Sequence, residues 1–360
     1  MKKAIVIVLL LILLIPLNIY GLENATAVIV MDQDNHRILY SKNIHKVRSV
    51  ASISKIMTAI LAIESGKIQD EVLIGEEING SYGSGIYIKE EEEITLEALV
   101  YGLLLRSGND AALAIAHYVG GSVDKFVEMM NEKAKEIGMK NTTFNNPSGL
   151  DAEKGNYSTA YDMAILTSYA MKNDTYKKIT GTKKYKVKTN LNYYSWTNKN
   201  KLLYLYRYTT GGKTGYTEIA KRTLVTTASK NNLNLVIVTL NDGNDFDDHI
   251  NLYEEHFNEY RGYKIIKKGV INVDLETYYA KNSLYIKNDF SYPLSEIEKN
   301  NIILEFKLVK KRQYRDGDVV GKVHVKLGDK ELYQDNVYVK IKKKKINVFD
   351  LIIKWLTNDK

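Results

Sequence analysis

Ala51-Ser52-Ile53-Ser54-Lys55-Ile56-Met57-Thr58 puts a serine three residues before a lysine, at the front of an apolar run made of Ile56, Met57, Ala59, Ile60, Leu61 and Ile63. The length and spacing of that run predict a helix to about Glu64, with Gly66 as its stop. Residues i and i+3 share a helix face, so Ser52 and Lys55 can meet. A serine hydroxyl becomes a nucleophile when a neighbouring base takes its proton. A lysine is such a base only when burial or a cationic neighbour lowers its pKa. Unpaired backbone N–H groups at the start of the helix would also favour an oxyanion there. The same spacing recurs at Ser122-Val123-Asp124-Lys125, where Ser122 follows Gly120-Gly121 and reads as a helix N-cap with Lys125 in solvent.

The chain has 360 residues, 44% of them hydrophobic and 26% charged, enough for two globular domains. With no cysteine, a disulfide, a thiol nucleophile and a cysteine-ligated zinc are all excluded. The six histidines are dispersed without metal-ligand spacing, so no metal or cofactor is expected. The formal charge is +8, but the lysines are scattered and no nucleic-acid-binding motif accompanies them. An anionic cell wall or membrane surface suits that charge, and nucleic-acid binding rests on charge alone.

Met1-Lys2-Lys3 followed by the apolar Ala4–Leu17 reads as a secretory leader cleaved near Gly21; the alternative is an uncleaved N-terminal anchor. Either places the rest outside the cytoplasm, at the extracytoplasmic face of the membrane or in the wall. Ala25–Met31 and His36–Tyr40 read as a hairpin turned at Asp32-Gln33-Asp34-Asn35. Helices are predicted at 95–105, 111–118, 122–137, 158–171 and 245–260. Strands are predicted from Tyr185 onward, notably 223–227 and 233–240. Arg106-Ser107-Gly108-Asn109-Asp110 between two apolar helices is either a turn with an Asn or Asp cap, or a second serine and an amide presented into a cleft. In Lys213-Thr214-Gly215, a lysine on an edge strand beside a hydroxyl offers a carboxylate anchor, and the glycine admits a substrate backbone.

Ser52-x-x-Lys55, Ser107-x-Asn109 and Lys213-Thr214-Gly215, in this order, resemble the serine penicillin-recognising enzymes. Their surroundings, together with Asn146-Pro-Ser-Gly-Leu-Asp and Tyr157-Ser-Thr-Ala, resemble the low-molecular-mass D-alanyl-D-alanine carboxypeptidases, peptidase family S11. Lys213–Val225 and Leu240–His249 look closest to the sporulation (DacB) type. The resemblance implies an α+β fold: a transpeptidase-like catalytic domain with an antiparallel sheet covered by helices, then a small all-β sandwich. It implies Ser52 as acylated nucleophile, Lys55 as its base, and Ser107 as proton relay to the departing D-alanine. Asn109 would bind the peptide or hold Lys55, Lys213 would keep Lys55 neutral, and Thr214 would hold the terminal carboxylate beside Gly215. The N–H groups of Ser52 and Tyr216 would form the oxyanion hole. Asp245 is acidic where some relatives carry arginine, which turns attention to Arg222 as a second carboxylate partner; Asn156, often histidine in relatives, is expected to be peripheral.

The expected organisation is a leader at 1–21, a catalytic domain at 22–261, a β domain at 262–341, and a basic amphipathic tail at 342–360 able to lie on an anionic membrane. The expected activity is removal of the terminal D-alanine from peptidoglycan stem pentapeptides, with β-lactams as covalent inhibitors and the spore cortex as setting. The alternatives are a β-lactamase, for which no Glu-x-x-Leu-Asn pattern lies between Asn109 and Lys213, and a non-catalytic β-lactam sensor or wall-binding protein.

Overall fold

The computed structural model describes residues 25–151, 154–271, 279, 282–310 and 313–341. The expected leader and basic tail lie outside them. The chain divides into two compact units after Asn258.

In the first unit, strands β1 (Ala27–Asp32) and β2 (Ile38–Lys42) form the predicted hairpin. Short strands follow: β3 (Arg48–Ser49), β4 (Glu71–Leu73), β5 (Glu93–Thr95), β6 (Tyr157–Ser158), β7 (Lys184–Lys188) and β8 (Tyr193–Thr197). They pair β3 with β6, β4 with β5, and β7 with β8. Then come β9 (Thr209–Thr217), β10 (Lys221–Lys230) and β11 (Leu233–Leu240). The central sheet is antiparallel in the order β2-β1-β11-β10-β9, so β9 is an edge strand. The strand pattern starting at Tyr185 thus splits. β7 and β8 form a hairpin of their own, stacked on the Leu96–Arg106 helix through Tyr101 and Tyr185, 3.7 Å between ring centres.

Period-two alternation sorts the sheet into two faces. Ala27, Ile29, Met31, Val225, Val236 and Val238 join a core with Ile53, Ile56, Met57 and Ile60 of the Ser52 segment. On the opposite face, Thr226 and Thr239 bond the two ring nitrogens of His249, and Tyr253 O–H lies 2.9 Å from Thr226 Oγ1. The helix Asp245–Glu259 therefore covers that face. Burial holds His249 neutral, pushing its pKa down to about 3.

Three helices begin at side-chain caps, of which Ser122 was predicted. Thr95, Ser122 and Thr159 each accept a backbone N–H at the start of the helices 96–106, 123–136 and 160–170. A seven-residue helix, Asp174–Thr180, capped by Asn173, escaped the sequence reading.

The second unit contains β12 (Arg261–Ile266), β13 (Gly269–Ile271), β14 (Ser283–Ile286), β15 (Phe290–Leu294), β16 (Ile302–Leu308), β17 (Val319–Leu327) and β18 (Lys330–Lys340). A five-stranded antiparallel sheet in the order β13-β14-β18-β17-β16 shares its core with the β12–β15 pair through Leu284, Val323, Val337, Phe290 and Leu294. β15 and the short helix Glu296–Lys299 were not foreseen. Pro293 argues against a strand, and it is accommodated here because β15 pairs, among the described residues, on one side only. No described helix is long and apolar enough to cross a membrane.

Candidate active site

The Ser52 segment begins as a 3-10 turn, Ala51–Ser54, and continues as the helix Lys55–Glu64, in which every residue from Lys55 to Ile63 is buried. Ala51 holds φ +49°, a left-handed value costly for a residue with a Cβ. Gly149 explains how that backbone is seated. A Cβ there would lie 2.1 Å from Ala51 O, so only glycine lets the 145–151 loop close on the turn.

That closure puts Ser148 O against the lysine. Lys55 Nζ lies 3.1 Å from Ser52 Oγ and 2.6 Å from Asn109 Oδ1, and it also bonds Ser148 O. Asn109 Nδ2 donates to Tyr82 O at 2.6 Å, which fixes the amide with its oxygen toward Lys55. Burial, and secondarily the charge of Lys199, bring the Lys55 pKa down to about 7, against the pull of Asp110. A neutral amine has two N–H groups and one lone pair. Asn109 Oδ1 and Ser148 O can only accept, so they take the two N–H groups. The lone pair is left for Ser52, whose O–H then donates to Lys55.

Ser107 terminates the 96–106 helix at φ +64°, again left-handed, with its side chain buried. Lys213 Nζ donates to Ser107 Oγ at 3.0 Å and to Thr214 O at 2.6 Å. Its pKa is also pushed well down, by burial first and then by Lys55 and Lys199. The two buried ammonium groups repel, so charge on one disfavours charge on the other. Of the two readings of Ser107-Gly108-Asn109, the geometry matches presentation into a cleft. Gly108 is the N-cap of the next helix, and Asn109 reaches Lys55. Asp110 turns back to accept the N–H groups of Ile86 and Tyr87.

Edge strand β9 runs beside the nucleophile. A Cβ on Gly215 would meet Thr223 Oγ1 at 2.4 Å and Ser52 N at 3.0 Å, so the strand approaches the Ser52 N–H this closely only with glycine there. Ser52, Ser107, Thr214, Gly215, Tyr216 and Arg222 line one cavity of about 370 Å³. Lys199, Lys201, Ser84, Asp245 and Phe246 complete its wall.

Arg222 is held in a fork by Asp245. Nη2 bonds Oδ1 and Nε bonds Oδ2 at 3.2 Å, with the guanidinium 5.5 Å from the Phe246 ring centre. Burial raises the Asp245 pKa and Arg222 pulls it down. Sequence reasoning missed Lys199 and Lys201, which sit in an Asn-Lys-Asn-Lys turn resembling an ordinary solvated loop. It also misjudged Asn156, which is fully buried. Its side chain accepts from Asn145 N and Asn146 N and donates to Asn146 O, fastening the loop that carries Ser148. Among the described residues no cluster of carboxylates and histidines is suited to a metal ion.

Comparison with known proteins gives the family of both units. The family model described as D-alanyl-D-alanine carboxypeptidase (Peptidase_S11) matches residues 22–244, and that for the penicillin-binding protein 5 C-terminal domain matches 260–345. The chain is 39% identical over 222 residues to D-alanyl-D-alanine carboxypeptidase DacF of Bacillus subtilis (strain 168), covering 60% of this chain and 57% of that protein. It is 28% identical over 364 residues to D-alanyl-D-alanine carboxypeptidase DacA of Haemophilus influenzae, covering 92% of this chain and 88% of that one. The crystal structure of penicillin binding protein 5 from Haemophilus influenzae superposes with a TM-score of 0.74 at 28% identity, covering 89% of this chain and 97% of that one. By its motifs, its fold and its matched length, the chain belongs to the S11 family of D-alanyl-D-alanine carboxypeptidases.

Proposed function

We propose that the protein is a serine carboxypeptidase that removes the terminal D-alanine from peptidoglycan stem peptides, with β-lactams acylating the same serine. The observation that carries this reading is the arrangement around Lys55: two obligate acceptors and a lowered pKa leave its lone pair for Ser52.

Ser52 Oγ attacks the penultimate D-alanine carbonyl while Lys55 Nζ takes its proton. The N–H groups of Ser52 and Tyr216 hold the oxyanion. The amide C–N bond breaks as Ser107 Oγ–H protonates the departing nitrogen, and the proton that Lys55 accepted passes back to Ser107, which leaves Lys55 neutral again while Lys213 holds Ser107 in place. Water then attacks the Ser52 ester, and Lys55 takes the water proton and returns it to Ser52 Oγ as the ester bond breaks. Thr214 and Arg222 anchor the terminal carboxylate, Lys199 and Lys201 add positive potential, and Asp245 orients the Arg222 fork. The catalytic domain spans 22–261. The β domain at 262–341 acts as a spacer or docking module and the 342–360 tail as a membrane-surface anchor on the extracytoplasmic side. The spore cortex is the proposed setting, from the resemblance of Lys213–Val225 and Leu240–His249. A strain lacking the protein should then retain more terminal D-alanine in cortex muropeptides than in vegetative ones.

The test uses protein starting at residue 22 and its Ser52→Ala variant, each given fluorescent penicillin and a D-Ala-D-Ala peptide. Labelling and D-alanine release, both lost in Ser52→Ala, support the reading. Labelling with no D-alanine release indicates a sensor, and fast penicillin hydrolysis with no release indicates a β-lactamase; either outcome overturns it.

A further inference from the structure

The nucleophile stands between two cavities with different linings. The first, holding Thr214, Arg222, Lys199 and Lys201, suits the terminal carboxylate and hence the leaving residue. The second, of about 480 Å³, lies beyond Asn109 and Ser148, the residues that bond Lys55. Its wall comprises Gly80, Ser81, Tyr82, Leu113, Asn145, Asn146, Leu150 and Lys154 besides those two. If the leaving D-alanine occupies the first cavity, the acyl half of the substrate must depart from Ser52 on the other side. Its penultimate D-alanine has only a methyl side chain, so the residue before it is the first with a side chain long enough to fill a cavity of this size.

The lining gives that side chain a polarity. Lys154 is the one charged residue among the described residues lining this cavity; the others are amides, hydroxyls, glycine, leucines and a tyrosine. The wall is also built to hold its shape. Asn146 Nδ2 donates to Leu150 O at 2.9 Å and to Lys154 O at 3.1 Å, and Asn145 Nδ2 donates to Gly155 O at 2.7 Å. Lys154 is thus displayed from a backbone tied to the loop that carries Ser148. A lone cation on a pre-shaped polar wall complements a carboxylate and repels an ammonium.

We infer that this cavity recognises the side chain of the residue preceding D-Ala-D-Ala, and that Lys154 selects a carboxylate-bearing diamino acid over one that ends in an amine alone. This rests on the carboxypeptidase reading and adds to it a substrate class.

The experiment compares kcat/KM for D-alanine release from two N-acetylated tripeptides, meso-diaminopimeloyl-D-Ala-D-Ala and L-lysyl-D-Ala-D-Ala. The proteins are the wild type, Lys154→Glu and, as a control for net charge, Lys135→Glu on the exposed side of the 123–136 helix. The wild type should prefer the diaminopimelate peptide by about two- to fivefold, the upper range of one exposed ion pair. Lys154→Glu should abolish or invert that ratio, and Lys135→Glu should keep it. A wild-type ratio of one, or a preference that survives Lys154→Glu, overturns the inference while leaving the carboxypeptidase reading intact. Release from neither peptide overturns both.

Discussion

The two units of this chain handle charge and strain in opposite ways. The first buries Lys55, Lys213, Asn109, Asp110, Glu92, Asp242 and Asp245, whereas the described part of the second buries no polar or charged residue to that degree. The first also contains every described non-glycine residue with positive φ, including Ala51 and Ser107 beside the reactive hydroxyls. The second reserves positive φ for Gly269, Gly317 and Gly328. Ion pairs of the second unit such as Arg261–Glu296 and Lys264–Asp289 lie on the surface. Both units obey the same rules of sheet alternation and core burial. Where a chain departs from those rules it bears a cost, and here Lys55, Lys213, Asp245, Ala51 and Ser107 bear part of it beside the Ser52 cavity.

The largest effect that would break this comparison comes from the buried amine. Lys55→Met keeps the volume and removes the base, so penicillin acylation should fall by about 10² to 10⁴. Rapid acylation by this variant would mean that the buried lysine is structural and the two units differ less than proposed. The wild-type acylation rate should rise about tenfold per pH unit below pH 7 and level off above it, because only the neutral amine accepts the Ser52 proton. Stability should carry a linked signature. Lys55 binds its proton with a pKa near 10.5 when unfolded and about 7 when folded, so the unfolded chain holds more protons between those values. Its contribution is therefore full above 10.5, declines as pH falls to 7, and is constant below. Urea titrations across that window should show a shallower rise of stability with pH in Lys55→Met than in the wild type.

How much of this was visible in the sequence follows from the range of each interaction. The Ser52–Lys55 pair, the cap at Ser122 and the strand Leu233–Leu240 depend on neighbours within a few residues, and local spacing specifies them. Ser107, Asn109 and Lys213 were picked out by their order along the chain and proved to converge. Lys199 and Lys201 left no local trace, because their importance comes from standing beside a cavity whose other walls lie far away in sequence. Asn156 looked like any loop amide, since its three partners are set by how the 145–156 loop closes on itself. Asp174–Thr180 has too few residues for helical period to stand out, and Pro293 masked β15.

A smaller but still large effect should come from Gly149→Ala. The new Cβ would press on Ala51 O, and Gly149 itself holds φ +80°. Overpacking and backbone strain together should cost about 3 kcal/mol, lowering the midpoint of the first unit by about 6–12 °C. Displacing Ala51 moves Ser52 off the Lys55 lone pair, so penicillin acylation should fall as well, even at temperatures where the protein stays folded. An unchanged acylation rate in folded Gly149→Ala would show that the strained turn does not position the nucleophile.

The smallest effect sharpens the comparison from the other side. Gly328 turns β17 into β18 at φ +58°, with nothing within 4 Å of where a Cβ would stand. Gly328→Ala therefore meets only the backbone penalty of a left-handed residue, about 1 kcal/mol. In a unit of this size that is worth about 4–8 °C in melting temperature. Neither the D-alanine release rate nor its pH dependence should change at 25 °C, because no described residue of this unit lines the Ser52 cavity. The same backbone conformation thus has two readouts. At Gly328 it should register only in calorimetry of the second unit, while at Ala51 and Ser107 it is built into the placement of reacting atoms. A Gly328→Ala protein with normal melting but impaired D-alanine release would reverse that assignment and move the β unit from spacer to participant.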